Sequence, residues 1–523
     1  MDTEALSGPS VKAKAYAFEI GKYRYDLDTK LLVLTLEGIV NRDAPRLFVD
    51  GEGLCDWAPA DKKWMSVYSE RKGIRFEKVE TLEGLINAFR SHINGLVVYD
   101  PELDATRYIA VTIAALNNYL PVSPNQITGV IASLRVREDL RGRWKDSESA
   151  YTWAIKELLP KCSKTIAFNA GQSHDNVQMG TDLAVILALD YAVAKKAFVF
   201  NLSPAMEDGT YGWDKIPIPG FPEDAKMMDT ILSKYKSPCQ VWGWAEPEWT
   251  FTSRLSKHGH FLMCGTAGNL SFHAIVPAEQ KTWKQPKCKF LAESDLENKY
   301  YIAFMTNEGD TARVLTSFFF GGWLNPDRGK IVVNWGVNPT LLHDFPVFAE
   351  YYFSSATKND YFYAGCSGTG YAFIDQLPNV ADFARHGKPF FDQFDIHVVD
   401  AWDEHKYVPK NYDTYAKEAG VQLFISLPRG GARIEMLPSG VPVVVQDERL
   451  HYKTGNAEKN VPDIKALSKE ITAPFVIPCY GGLNENTPRN YMKIMEQLPA
   501  QTFQAVSLAD VAVLARKIGQ KSK

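Results

Sequence analysis

Tyr361-Phe362-Tyr363-Ala364-Gly365-Cys366-Ser367-Gly368-Thr369-Gly370-Tyr371-Ala372-Phe373-Ile374-Asp375 joins an apolar run to a loop of small residues that closes on two aromatics and an acid. The apolar run, stopped by a glycine, reads as a short buried strand. Glycines without a Cβ let the following backbone turn sharply and approach a ligand. A strand followed by such a loop is the first half of a βα unit, and the same half-unit recurs on both sides of it. Strand-like runs are predicted at 300–305, 331–335, 361–364, 396–399, 421–425, 441–445 and 475–478, with an eighth near Phe503. Their spacing is mostly about 20 to 35 residues, the length of one such unit. Seven or eight units predict a C-terminal (β/α)7-8 barrel-like domain, with an open doubly wound sheet as the alternative.

Upstream, strands and amphipathic helices also alternate, which favours α/β architecture with parallel sheets. Asp28 opens a helix-spaced apolar stretch that runs to Arg42, and short strands are predicted at 46–49, 96–99, 165–168, 197–200, 240–243 and 261–264. The polar, proline-flanked stretch 277–287 reads as a linker. The expected organisation is therefore α/β throughout: an N-terminal α/β subdomain over 1–120, a second α/β region over 121–288, and the barrel-like catalytic domain over 289–523.

The composition narrows the function classes. With 523 residues, 45% hydrophobic, 23% charged and a net charge of −4, the chain has the balance of a multidomain globular protein. A nucleic-acid binder would carry a basic face, and no apolar run approaches the length of a membrane span. The first residues lack the apolar core of a signal peptide, so the chain as written is expected in the cytoplasm, or outside it if a signal was removed. Seven dispersed cysteines form no CxxC pair. No phosphate-loop, nucleophile-elbow or HExxH motif occurs, and neither cofactor nor metal is expected.

Active sites of such barrels lie on the loops after the strands. Those loops carry Asn307-Glu308-Gly309-Asp310, Trp335-Gly336-Val337-Asn338, the glycine loop with Tyr371, Asp400-Ala401-Trp402-Asp403, Gln446-Asp447-Glu448-Arg449 and Cys479-Tyr480-Gly481-Gly482-Leu483-Asn484. Paired carboxylates and flat aromatics suit glycosidic-bond cleavage, which needs one carboxyl as acid and another as nucleophile or base. Glu308 and Asp310 are the first candidates, Asp310 as the ionised member and Glu308 as proton donor or hydroxyl ligand. Asp400, Asp403 and Asp447 are candidate partners; turn formation or helix capping would equally account for any one of them. Trp335, Tyr371 and Trp402 are candidate stacking walls, and Asn338, Arg449 and Asn484 candidate hydroxyl ligands. Asp375 reads as a helix cap. The expected partner is an oligosaccharide or polysaccharide.

Gly368-Thr369-Gly370-Tyr371-Ala372-Phe373-Ile374 resembles the signature of the GxGYxYP family of putative glycoside hydrolases, with Phe373 for its second tyrosine and Ile374 for its proline. Glu308-Gly309-Asp310, Trp335-Gly336-Val337-Asn338-Pro339 and Asn359-Asp360-Tyr361-Phe362 are similar to neighbouring family blocks. Near the start, Leu36-Glu37-Gly38-Ile39-Val40-Asn41-Arg42 followed by Pro45-Arg46-Leu47 resembles the family's leading LQGxxNR…PR block. The resemblance implies several N-terminal α/β pieces and a barrel-like catalytic domain acting on glycosides. Thr311 stands where the family's acid-Gly-Asp motif usually continues with Asn. A sugar-binding protein without turnover, or a polysaccharide lyase or deacetylase on the same scaffold, is the alternative.

Overall fold

The computed structural model describes residues 13–52, 60–172, 186–207, 210–211, 217–287, 289–290, 296–306, 312–451, 457–481 and 486–521. The chain divides into two compact units. One comprises Met1–Arg254, Met263–Glu279 and Phe345–Val347, the other Leu255–Leu262, Gln280–Asp344 and Phe348–Lys523.

The first unit is built on small sheets, as its alternating pattern predicts. β1 (Lys14–Glu19) lies between β2 (Leu47–Asp50) and β3 (Arg75–Val79), all parallel. β4 (Gly95–Val98) lies between β5 (Tyr119–Val122) and β6 (Val136–Asp139), again parallel. A further sheet runs β12-β11-β7-β8, from β7 (Ile166–Asn169), β8 (Phe198–Phe200), β11 (Gln240–Gly243) and the end of β12 (Phe261–Cys264). A short antiparallel pair, β9 (Thr210–Tyr211) and β10 (Pro217–Ile218), completes it. The helix Leu27–Val40 starts where the Asp26 side chain accepts the Thr29 amide at 2.9 Å. Its sequence is mostly apolar, with Asp28, Lys30 and Glu37 as its charged residues, and it is buried almost throughout. At Gly38 a Cβ would stand 2.2 Å from the Asp190 carbonyl, so only glycine lets the helix Leu189–Ala194 come this close.

In the second unit the seven expected strands and the eighth all form: β13 (Tyr300–Thr306), β14 (Val333–Val337), β15 (Asp360–Ala364), β16 (Val398–Ala401), β17 (Leu423–Ser426), β19 (Pro442–Val445), β20 (Phe475–Gly481) and β21 (Phe503–Ala505). One more, β18 (Arg433–Met436), pairs antiparallel with β19 where the sequence reads as a glycine-rich loop. Among the described residues these form one sheet in the order β18-β19-β17-β16-β15-β14-β13-β20. β20 covers the whole of one edge of β13, while β21 takes Tyr300, Tyr301 and Ile302 on the other and leaves only Met305 to β14.

The sheet curls into a half-barrel rather than closing on itself. Its concave face is filled by a helix, Leu508–Lys521, which presents Leu508, Val511, Ala512, Leu514 and Ala515 to Tyr301, Met305, Val398, Ile425, Val444 and Val476. Each of the leucines and the valine contributes about 1.5–3 kcal/mol on full burial, so the helix supplies the packing that strand closure would otherwise give. Asn334 fixes its start, accepting the Leu508 amide at 2.7 Å while donating to the Phe304 carbonyl at 2.9 Å. Among the described residues no helix is long and apolar enough to cross a membrane.

Candidate active site

Successive strand residues face opposite sides of a sheet. Val398, Leu423, Val444 and Val476 face the packed helix, so Asp400, Gln446 and Tyr480, each an even number of residues further on, line the same concave face towards the strand C-termini. Tyr363 joins them, two residues beyond Tyr361 on β15. Its hydroxyl donates to the carbonyl of Thr306, where β13 ends.

Asp400 is the centre of this layer. It is buried, and its Oδ2 accepts from the Tyr480 hydroxyl and, at 2.8 Å, from the Trp402 indole N–H. Its Oδ1 has no hydrogen-bond partner. Burial pushes the carboxyl up to about 6, against the pull of the Tyr480 and Trp402 bonds, which favour the charged form. Gln446, also fully buried, shares Oε1 with His451 Nδ1 at 2.9 Å, and its Nε2 has no partner. The His451 ring stands edge-on to Tyr480 at 5.4 Å, and burial pushes it down to about 4, so it is neutral at pH 7.

Three residues on, Asp403 repeats the arrangement. Its Oδ2 accepts from the Tyr412 hydroxyl at 2.6 Å and its Oδ1 is unpartnered. Burial first, and the field of Asp375 second, push it up to about 7, while the Tyr412 bond and Arg429 oppose the rise. Arg429 lies 3.7 Å over the Tyr407 ring and grips Glu435 through two bonds of 3.0 and 2.8 Å. Two carboxyls at one strand end thus hold protons close to neutrality, each with one buried oxygen lacking a hydrogen-bond partner.

The remaining expected residues fall elsewhere. Asp447 accepts three bonds from Arg449, which also grips Glu470 at 2.8 and 2.7 Å. The Arg449 guanidinium beside it holds the Asp447 carboxyl below the usual range. The expectation that Arg449 binds a sugar hydroxyl finds little support, because four of its five guanidinium donors are engaged by Asp447 and Glu470. Trp335 is likewise no stacking wall: it is fully buried between Phe319 and Trp323, and its indole donates to Asp360 at 2.9 Å. Asn338 has no exposed surface, donating to the Gly368 carbonyl at 3.2 Å and accepting the Thr340 amide at 2.9 Å. Tyr371 is only 2% exposed and packs edge-on against Phe373 and Trp402. Trp402, 7% exposed, acts on Asp400 through its N–H instead of offering its face. Asp375 caps no helix but gathers the amides of Glu404, His405 and Lys406. Glu308, Asp310 and Asn484 lie outside the described residues.

The glycine loop is scaffold. Cys366, Ser367 and Gly368 take left-handed backbone in succession, with φ of 45°, 65° and 81°. Ser367 ties the turn to β16: its amide donates to the Asp400 carbonyl at 2.7 Å and its Oγ accepts the Trp402 amide at 3.1 Å. The loop therefore sets the height of Asp400 without facing the mouth. At Gly370 a Cβ would lie 2.0 Å from Phe261.

Sequence reasoning left Tyr480, Gln446 and Tyr412 without a role. The alternation Val398-x-Asp400, Val444-x-Gln446 and Val476 to Tyr480 was the available signal. Among the described residues no group of three or more His, Cys, Asp or Glu is disposed to hold a metal ion.

Four family models match the chain in order: "GxGYxYP_N 1st domain" at residues 14–91, "GxGYxYP_N second domain" at 93–162, "GxGYxYP third domain" at 176–275 and "GxGYxYP putative glycoside hydrolase C-terminal domain" at 298–516. No curated protein matches it. A crystal structure of a putative hydrolase from Bacteroides thetaiotaomicron superposes with a TM-score of 0.75 at 16% identity, covering 98% of this chain and 96% of that one. The likeness shows a shared fold. A putative polysaccharide deacetylase from Mycobacterium smegmatis aligns over 46% of this chain and 96% of its own, at 8% identity and a TM-score of 0.31, too low to show a common fold.

Proposed function

The chain belongs to the GxGYxYP family, and from that premise we propose that it is a carbohydrate-active enzyme, a glycoside hydrolase working from the C-terminal end of the half-barrel. The observation that carries the reading is the buried Asp400 carboxyl, bonded through Oδ2 and unpartnered at Oδ1. A general acid must keep its proton near working pH and present it to the leaving-group oxygen. Burial supplies the first condition, and the two donors on Oδ2 direct the proton to the unpartnered Oδ1. Asp403 meets the same conditions one turn of chain away and is the second candidate donor.

The partner carboxylate would be nucleophile or base. Asp447 is already neutralised by Arg449, so the role falls to Asp310, with Glu308 holding a substrate hydroxyl. The substrate would be an oligosaccharide or polysaccharide. Phe373 and Ile374, where the signature departs from the family pattern, are both fully buried. Their change is one of packing and gives no support to a protein that binds sugar without turnover.

The test is release of new reducing ends from a panel of oligosaccharides and aryl glycosides. Wild-type protein should cleave at least one member. Asp400→Asn and Asp310→Asn should each lower kcat by about 10²–10⁴-fold, the usual worth of an acid or base. Wild-type turnover in Asp400→Asn and Asp403→Asn together would overturn the assignment of the donor.

A further inference from the structure

Among the described residues, Gln446 is a buried amide on this concave face with a donor group that meets no acceptor. It is fully buried, yet its Nε2 donates to nothing, and an amide N–H removed from water without a partner costs about 1–3 kcal/mol. Its orientation is not slack: Oε1 is held by His451 Nδ1 at 2.9 Å, and the His451 ring is braced against Tyr480. Neutral imidazole donates from one nitrogen, and a carbonyl oxygen only accepts, so the bond requires the Nδ1–H tautomer and leaves the whole –NH2 of Gln446 open.

A complementary group stands on the same face. Register places Asp400 opposite Ile425 and Ile425 opposite Val444, so Gln446 sits two strands across and one residue pair above Asp400. Two strand spacings are about 10 Å, and side chains on the inside of a curled sheet converge. One unpartnered acceptor, Asp400 Oδ1, and one unpartnered donor pair, Gln446 Nε2, therefore lie on the same face near the strand C-termini, both buried in the free protein. We propose that Gln446 is a specificity-determining residue that donates to a hydroxyl or ring oxygen of the sugar unit whose glycosidic oxygen meets Asp400. The inference rests on the glycoside hydrolase reading and names the position within its site that fixes the sugar's orientation. The ligand class is a neutral pyranoside, because the amide carries no charge to pair with an acidic sugar.

The experiment uses the full chain as wild type, Gln446→Glu and Gln446→Met. Gln446→Glu keeps an oxygen for His451 and removes the –NH2, while Gln446→Met removes both. Binding of methyl glycosides and disaccharides of glucose, galactose, mannose, xylose and N-acetylglucosamine is measured by calorimetry, beside thermal unfolding. A sugar bound by wild type should bind both variants at least tenfold more weakly, and the monodeoxy analogue lacking the contacted hydroxyl should bind wild type and Gln446→Met alike. Both variants should still unfold in one cooperative transition above the temperature of the binding measurement, with Gln446→Glu losing stability as pH rises because its new carboxyl is buried. Equal sugar affinity in all three proteins, with wild type active, would overturn the role of Gln446 and leave the hydrolase reading standing. If wild type neither binds nor cleaves any sugar of the panel, both readings fail together.

Discussion

The Tyr480 hydroxyl donates to Oδ2 of Asp400, so a phenol on β20 sets the protonation of an acid on β16. The bond favours the ionised carboxylate and opposes the burial that pushes Asp400 up to about 6. Removing it in Tyr480→Phe should raise that value further. A general acid works while protonated, and activity falls as pH rises through its pKa. The alkaline limb of the kcat/KM profile should therefore move to higher pH, by about one unit for a bond to a charged group. An unmoved limb in a folded Tyr480→Phe protein would detach Asp400 from that limb.

The same carboxyl leaves a mark on stability. Asp400 binds its proton more tightly folded than unfolded, from 3.8 to about 6, so the folded state holds the extra proton between those values. The associated stability is complete below about pH 4 and is lost as pH rises through 6. At 1.36 kcal/mol per unit, the loss is on the order of 3 kcal/mol. Asp400→Asn cannot titrate, so it should gain on wild type by about that amount between pH 4 and pH 8 in denaturant unfolding. A pH-independent difference would show that Asp400 is not protonated as described.

The strands were legible because parallel strands covered on both sides read as short apolar runs, and all eight expected runs form. The way the sheet ends was not. Whether Pro442–Val445 reaches Phe475–Gly481 depends on a helix at the far end of the chain, Leu508–Lys521, and no local pattern encodes where it docks. Exposure was equally hidden: Trp335 and Asn338 look like mouth residues because they follow a strand, but the left-handed turn Cys366–Gly368 folds back over Asn338. Asp400 was legible as a candidate acid, whereas its partners Tyr480 and Trp402 depend on which strands become neighbours.

The scaffold role of the signature loop gives a sharp expectation at Gly370. A Cβ there would stand 2.0 Å from the Phe261 ring, which is itself fully buried. Overpacking a core of this density costs about 1–3 kcal/mol. Gly370→Ala should lower the unfolding midpoint accordingly. Phe373→Tyr, which restores the second tyrosine of the family pattern, should also destabilise, by placing a hydroxyl at a fully buried position. KM should remain within about twofold of wild type in that variant, a range too small for a lost hydrogen bond. A large change in KM at constant stability would return the loop to the substrate.

Glu37 supplies the last expectation, in the first unit. It lies on the fully packed side of the helix Leu27–Val40, with neither carboxyl oxygen hydrogen-bonded; the Val49 amide close to it donates to Asn269 Oδ1 at 2.6 Å. Burial pushes Glu37 well above the ordinary range, and the fields of Asp190 and Asp61 add to the rise. In the unfolded chain it ionises above about 4.5, so folding takes up a proton at any pH between that value and the raised folded one. The stability tied to that proton is complete at acid pH and lost as pH rises. Glu37→Gln, which restores the family's LQG block, keeps the shape and removes the titration. Its melting temperature should match wild type near pH 4.5 and exceed it by a widening margin up to pH 8. A constant margin across that range would mean that Glu37 is ionised in the folded protein, with a cation beside it.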